Sequence, residues 1–197
     1  MEAIYTFDYA ILNWMQNTLR CNFLDVLMRC ITYLSEYGIF WILIAVVMLF
    51  FKKTRKIGLS IGVAMVLGLI FGNAILKNVV ARERPYSELG DFSYMKMTVE
   101  LLIKTPWDYS FPSGHALSAF SAATVLTIWD KRYGIPAIIL AVLIGISRVY
   151  LYVHYPTDVL ASVVLGIICG ILGYFIVKLI WEKTTKLIDA KKQNKAG

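Results

Sequence analysis

One stretch of the chain limits its possible folds more than any other. The twenty residues Ile57–Leu76 carry no charge. An α-helix needs about 20 predominantly apolar residues to cross the hydrocarbon core of a bilayer. Hydrophobic residues make up 58% of the chain, against roughly 45–50% in soluble domains. Further apolar segments lie at Ile39–Phe51, Pro112–Trp129, Ile135–Tyr150 and Asp158–Trp181. The sequence therefore predicts an all-α fold, a polytopic membrane helical bundle with about five transmembrane helices.

The charged residues predict how these helices are oriented. The net charge is +7, and lysines and arginines gather in the loop 52–56, in the turn 130–132 and in the tail 182–197. Short basic loops are typical of the cytoplasmic side. Counting spans from there places residues 77–111 and the turn at 154–156 outside. The positive charges flank apolar runs instead of forming a basic domain, so the bilayer is expected as partner and nucleic acid is not. We expect one domain, 1–197, in the cell membrane.

Two regions near the N-terminus allow alternative interpretations. Residues 1–22 alternate apolar and polar positions at helical spacing, with Ile4 and Phe7 on one side and Asp8 on the other. The pattern predicts an amphipathic helix, either lying in the membrane interface or packed against the spans. Residues 24–51 form either one long tilted helix or a shorter helix followed by a span.

Polar residues cluster at the predicted outer ends of four spans, all within the region 77–158. The clusters are Lys77 with Arg84-Pro85, Pro112-Ser113-Gly114-His115, Ser147-Arg148, and His154 with Asp158. Ionisable groups at the membrane boundary of several helices are expensive to keep there and indicate a functional site.

The first clusters predict an anion site. Lys77 and Arg84 are seven residues apart, so a helix continuing that far would direct both cations to the same side. Arg148 adds a guanidinium group that can bind phosphate oxygens bidentately. Pro112 suits the first turn of a helix, and Ser113 and Gly114 would then offer free backbone N–H groups to an anion.

The two histidines add chemistry to this anion site. Phosphoryl transfer requires a nucleophile and a proton donor for the leaving oxygen, and His154 and His115 can supply these two roles. Asp158, four residues after His154, can fix its tautomer. A catalytic zinc site is the chemical rival, since it needs three protein ligands, but the surrounding cations disfavour a metal ion and favour phosphate. No metal or cofactor is expected.

The clusters resemble the signature of the phosphatidic acid phosphatase type 2 superfamily, which is K-x6-R-P, P-S-G-H and S-R-x5-H-x3-D. Here they read Lys77-NVVARE-Arg84-Pro85, Pro112-Ser113-Gly114-His115 and Ser147-Arg148-VYLYV-His154-YPT-Asp158, in order and without a gap. The resemblance implies that His154 is the nucleophile forming a phosphohistidine, that Asp158 assists it and that His115 protonates the leaving group. It implies phosphate-binding roles for Lys77, Arg84, Ser113, Gly114 and Arg148. Members of the superfamily need no metal, so a metal-independent phosphoric monoester or diphosphate hydrolase is expected.

The resemblance also bears on the substrate. Members commonly have six spans, whereas this chain has about five and an amphipathic N-terminus. Short bacterial members that cleave undecaprenyl diphosphate are similar in length and in that arrangement, although some carry Asp where this chain has Gly114. A membrane lipid phosphatase that converts undecaprenyl diphosphate to undecaprenyl phosphate is therefore expected. Phosphatidylglycerophosphate, phosphatidic acid and a sugar phosphate remain alternative substrates, and a lipid-binding or transport protein is the non-enzyme alternative. The outer segment 86–111 either gates lipid entry or merely packs, and the oligomeric state is left open.

Overall fold

The computed structural model describes residues 1–87, 89 and 92–196. Its α-helices are α1 (Glu2–Thr18), α2 (Asn22–Leu34), α3 (Ile39–Phe50), α4 (Arg55–Gly68), α5 (Lys77–Val80), α6 (Gly114–Trp129), α7 (Lys131–Tyr150) and α8 (Pro156–Ala196). A π-helical segment, Leu69–Leu76, joins α4 to α5, and 3₁₀ turns lie at Glu36–Gly38 and Ser93–Met95. No strand occurs among the described residues. The all-α prediction is confirmed.

Helix α6 lies at the centre of the bundle and packs against α4, α7 and α8. Its fully buried residues include four alanines: Ala116, Ala119, Ala122 and Ala123. On α8, a Cβ added to Gly166 would lie 3.0 Å from the Leu117 carbonyl oxygen, and one added to Gly170 would lie 2.8 Å from that of Ser121. Small residues thus bring the backbones of α6 and α8 close together, as is common between membrane helices.

Four helical stretches of the described chain are long and apolar enough to cross a membrane: Asn22–Phe50, Arg55–Val80, Lys131–Tyr150 and Pro156–Lys191. The expected third span is shorter than predicted. Helix α6 has 16 residues, which at about 1.5 Å per residue spans about 24 Å, less than the roughly 30 Å hydrocarbon core. Its neighbours surround it, so it lies inside the bundle with little contact to lipid.

The region 22–50 is broken in the middle. Tyr37 (φ 49°) and Gly38 (φ 70°) adopt left-handed backbone conformations between α2 and α3. A continuous helix cannot pass through two such residues. The single long helix considered from the sequence is therefore wrong. A shorter helix does come first, but the helix that follows, α3, has 12 residues, fewer than the roughly 20 of a full span.

Helix α1 packs against α7 and α8, and its packed face includes polar as well as apolar side chains. Asp8 and Gln16 are buried, whereas Phe7 and Trp14 are about half exposed. The buried polar groups have partners, for example Gln16 Nε2 donates to the Tyr150 carbonyl oxygen at 2.6 Å. The packed alternative is therefore correct for α1, because a helix with its polar side in water would leave Asp8 and Gln16 exposed.

Two predictions about helix ends were wrong. Helix α5 ends at Val80, and Ala81 is left-handed (φ 46°), so no helix carries Lys77 and Arg84 on one face. Pro112 precedes the N-cap, Ser113, and is not in the first turn of α6. Helix α8 continues through the basic tail to Ala196. Pro156 begins α8 as expected.

Candidate active site

The ring of His154 lies between a carboxylate and a cation. His154 is in the loop that follows α7, and it is 1% exposed. Its Nδ1 lies 3.6 Å from Asp158 Oδ2, in the first turn of α8. Its Nε2 lies 3.3 Å from Arg84 Nη1. One ring nitrogen therefore faces the aspartate, and the other faces the cations.

Ser110 links His154 to Asp158. Its Oγ lies 3.5 Å from His154 Nδ1 and donates to Asp158 Oδ2 at 2.5 Å. The Tyr155 N–H donates to the same oxygen at 3.0 Å. With Nδ1 protonated and directed to Ser110 and Asp158, the lone pair of Nε2 points away from the carboxylate. Nothing in the sequence distinguished Ser110 from the other serines, so it was not predicted.

The surroundings of His154 keep its imidazole neutral. Burial lowers the pKa of His154 well below its usual range, and the nearby positive charges of Arg84 and Arg148 lower it further. Both effects disfavour the charged form of a histidine. In the neutral ring Nε2 is unprotonated, and its lone pair, which accepts from Arg84 Nη1, is what a nucleophile requires.

Lys77 and Arg84 meet at a carboxylate that was not predicted. Lys77 Nζ lies 2.5 Å from Asp108 Oδ2, and Arg84 Nη2 lies 2.5 Å from Asp108 Oδ1. Burial raises the pKa of Asp108, but the hydrogen bond from Lys77 and the charge of Arg84 outweigh it and lower the pKa to about 2. Asp108 therefore remains ionised in the pH range of an enzyme assay and pairs with two cations assigned to phosphate.

We expect Asp108→Asn to tighten inhibition by vanadate about fivefold, equivalent to about 1 kcal/mol. The amide cannot compete with an anion for Lys77 and Arg84, and the site gains one positive charge. The measurement is the inhibition constant in detergent at fixed pH. Asp130→Asn is the control, since Asp130 pairs with Arg132 at the other end of α6. Weaker inhibition in Asp108→Asn would show instead that the carboxylate holds the cations in place.

Arg148 presents a hydrogen-bond donor without a protein partner. Its side chain is buried near the C-terminus of α7, and Nη1 donates to Thr32 Oγ1 at 2.7 Å. Its Nε has no hydrogen-bond partner among the described residues, and the same is true of Ser113 Oγ. Buried polar atoms are nearly always paired in folded proteins. The unpaired Nε of Arg148 therefore indicates a site for a polar ligand.

The N-terminus of α6 supplies the remaining predicted residues. Ser113 is its N-cap, and Gly114 and His115 form its first turn. The first N–H groups of a helix have no partner within the helix and favour an anion. His115 Nε2 lies 3.6 Å from Glu36 Oε2, in the break between α2 and α3. A Cβ on Gly114 would lie 3.3 Å from Asn73 Oδ1, so glycine leaves room for that amide.

Six of the eight predicted site residues line one large cavity of about 1540 Å³: Lys77, Arg84, Gly114, His115, Arg148 and His154. Ser113 and Asp158 are fully buried behind it. The cavity continues between α3 and α4, where its wall is apolar. No three histidine, cysteine or acidic side chains among the described residues lie close enough to hold a metal ion.

The sequence profile of the PAP2 superfamily matches residues 57–182, more than half of the chain. The chain belongs to the PAP2 superfamily. Its residues 77–158 thus carry the motifs of a superfamily of phosphatases, and the protein is a membrane phosphatase of this class.

Characterised relatives and a solved structure agree with this assignment. The chain is 38% identical over 148 residues to the undecaprenyl-diphosphatase of Sulfolobus acidocaldarius, covering 74% of this chain and 68% of that protein. It is 32% identical over 153 residues to undecaprenyl-diphosphatase BcrC of Bacillus subtilis, covering 76% and 75%. The crystal structure of a transmembrane PAP2 type phosphatidylglycerolphosphate phosphatase from Bacillus subtilis superposes with a TM-score of 0.69 at 31% identity, covering 93% of this chain and 88% of that chain.

Proposed function

We propose that this PAP2 phosphatase hydrolyses undecaprenyl diphosphate to undecaprenyl phosphate through a phosphohistidine. The supporting observation is that a single cavity joins the cation cluster to an apolar channel between two helices. A charged head and a long apolar tail on one molecule would fill both parts. The two relatives named as undecaprenyl-diphosphatases support this choice of lipid.

The apolar arm of the cavity fits a hydrocarbon tail. Its lining residues from α3 and α4 are Ile42, Val46, Leu49, Leu59, Val63 and Val66. Gly62 on α4 leaves it open, since a Cβ added there would meet nothing within 4 Å. A sugar phosphate would leave this surface unoccupied, so the arm favours a lipid over a soluble substrate.

The geometry supports an in-line displacement. The Nε2 lone pair of His154 attacks the terminal phosphorus, and the bond from phosphorus to the bridging oxygen breaks. His115, at the N-terminus of α6, gives its proton to that oxygen, so lipid monophosphate leaves. Water then attacks the phosphohistidine and gives its proton to His115, which releases inorganic phosphate and restores both histidines. Lys77, Arg84 and Arg148 neutralise the phosphoryl oxygens during both steps.

We also propose that the reaction occurs at the outer face of the cell membrane. The catalytic residues lie at the ends of α5, α6, α7 and α8 that are opposite the basic segments 52–56 and 130–132. Short basic segments are typical of the cytoplasmic side.

A substrate panel tests the proposed function. Phosphate release by the purified protein is measured in detergent with undecaprenyl diphosphate, phosphatidylglycerophosphate, phosphatidic acid and glucose 6-phosphate. We expect kcat/KM to be highest for undecaprenyl diphosphate. Phosphatidylglycerophosphate is the second candidate, because the superposed Bacillus subtilis enzyme is named for it. A preference for glucose 6-phosphate would contradict the lipid assignment.

A bulky residue at Gly62 tests the apolar arm. We expect Gly62→Phe to raise KM for undecaprenyl diphosphate about tenfold, because a side chain at this position extends into open space and its ring would occupy the channel. KM for a short-chain phosphate, which does not reach the channel, should stay within about twofold. Val164→Phe is the matched control, since Val164 is exposed on α8 away from the cavity. Equal effects on both substrates would contradict a tail-binding role.

A further inference from the structure

An ion network beneath the site involves Arg82, which occupies a variable position within the first motif. Arg82 Nη1 donates to Asp158 Oδ1 at 2.6 Å, and Nη2 donates to Asp8 Oδ2 at 2.7 Å. The Arg82 side chain is 9% exposed, and both carboxylates are fully buried. One guanidinium therefore serves two buried carboxylates, one beside the proposed nucleophile and one in the N-terminal helix.

Aromatic rings enclose the guanidinium group. Its Cζ lies 3.8 Å from the centre of the Tyr155 ring and 4.5 Å from that of Tyr5. The rings fix the plane of the guanidinium through cation–π contacts. They also exclude water, so the charges of Arg82 and its two partners are weakly screened.

Asp8 is held in place from a second direction. Its Oδ1 accepts from the Thr157 backbone N–H at 2.9 Å, and its Oδ2 accepts from Thr157 Oγ1 at 2.6 Å. Thr157 directly precedes Asp158. Asp8 thus ties α1 to the first turn of α8 and fixes the position from which Arg82 reaches Asp158.

The two carboxylate oxygens of Asp158 contact different groups. Oδ1 faces Arg82, while Oδ2 accepts from Ser110 and from the Tyr155 N–H and faces His154 Nδ1. Because Arg82 holds Oδ1, the carboxylate cannot rotate, and Oδ2 remains directed at the histidine.

We propose that Arg82 is a positioning residue for phosphoryl transfer, shared between Asp158 and Asp8, through which the N-terminal helix controls the charge available to His154. This inference rests on the proposed phosphohistidine mechanism. The charge arrangement gives it a distinctive consequence. Two carboxylates share one cation, so Asp8 withdraws part of the positive charge of Arg82 from Asp158.

Replacing Arg82 and replacing Asp8 are expected to shift the pH profile of kcat/KM in opposite directions. In Arg82→Gln the buried carboxylates lose their cation, so the site takes up a proton more readily and the acidic limb of the pH profile moves to higher pH. In Asp8→Asn, Arg82 serves Asp158 alone, so the acidic limb moves to lower pH. A nearby opposite charge shifts a titration by about one unit or more. We expect shifts of about one unit upward and about half a unit downward.

The experiment measures kcat/KM from pH 4 to 9 with undecaprenyl diphosphate and with a short-chain phosphate. The variants are Arg82→Gln, Arg82→Lys and Asp8→Asn. Arg132→Gln is the control, since Arg132 is exposed far from the site. Arg82→Lys keeps the positive charge, but an ammonium group cannot bind both carboxylates as the guanidinium does. We therefore expect kcat to fall about tenfold, while the midpoint of the acidic limb stays within about 0.3 pH units of the wild type. If Arg82→Gln does not fold, Arg82→Lys and Asp8→Asn decide the question.

Shifts of opposite sign support the proposal. Shifts of the same sign in the two variants overturn it. An unchanged acidic limb of the kcat/KM profile, with a loss of activity that matches the loss of folded protein, also overturns it and makes Arg82 a structural residue. These results are distinguishable from failure of the proposed function. If the proposed function is wrong, the wild-type protein releases no phosphate from undecaprenyl diphosphate. The pH profiles of the variants can then still be measured with the short-chain phosphate.

Discussion

Replacing His154 by alanine is expected to abolish turnover, with a loss in kcat of at least about 10⁴-fold. Alanine offers no lone pair at the position of Nε2, the ring nitrogen that lies 3.3 Å from Arg84 Nη1 in the native protein. Phosphate release from undecaprenyl diphosphate, followed for long enough to detect this loss, is the measurement.

The control for His154→Ala is a test that the site still binds an anion. Vanadate should protect the variant against thermal unfolding, because Lys77, Arg84 and Arg148 remain. A kcat within about tenfold of the wild type, in protein free of wild-type contamination, would contradict the assignment of His154 as nucleophile. Loss of activity together with loss of vanadate binding would point to a misfolded site.

Replacing His115 by asparagine is expected to have the second largest effect, and the loss should depend on the leaving group. With phosphatidic acid, whose leaving group is an alkoxide and needs a proton, we expect kcat to fall about 10²- to 10⁴-fold, the usual range for a lost general acid. With 4-nitrophenyl phosphate, whose nitrophenolate leaves without protonation, the fall should be less than about tenfold. The measurement is the ratio of the two losses in the same preparation.

The ratio of the two losses in His115→Asn separates acid catalysis from phosphate binding. If His115 only bound phosphate, His115→Asn would impair both substrates equally and would raise KM more than it lowered kcat. Ser118→Ala is a suitable control, since Ser118 lies one turn further along α6 and its hydroxyl donates to the His115 carbonyl oxygen. It should leave the ratio of the two losses unchanged.

Much of the fold followed from apolar length and loop charge. These two features predicted the helical bundle and placed the polar clusters at one end of it. They were less successful where tertiary contacts decide the outcome. Asp8 and Gln16 of α1 are buried because they find partners in Arg82 and in the Tyr150 carbonyl group, and no local pattern reveals such partners.

The residues of the site were likewise predicted only in part. The eight residues predicted from the motifs lie around the cavity or directly behind it, because the motifs are fixed in spacing and occupy helix ends. Asp108, Ser110 and Arg82 were not predicted, because their partners are distant in sequence or are shared with another element. Lys77 and Arg84 do converge, but Asp108 joins them after the helix has ended, and no continuous helical face is involved.

The most direct test of the account is to trap the phosphorylated enzyme. Wild-type protein is incubated briefly with undecaprenyl diphosphate labelled in its terminal phosphate, quenched in alkali and mapped by mass spectrometry. The account predicts one acid-labile, alkali-stable phosphate on His154, which is absent in His154→Ala. A phosphate on any other residue, or rapid turnover without any trapped phosphate under conditions that stabilise phosphohistidine, would contradict it.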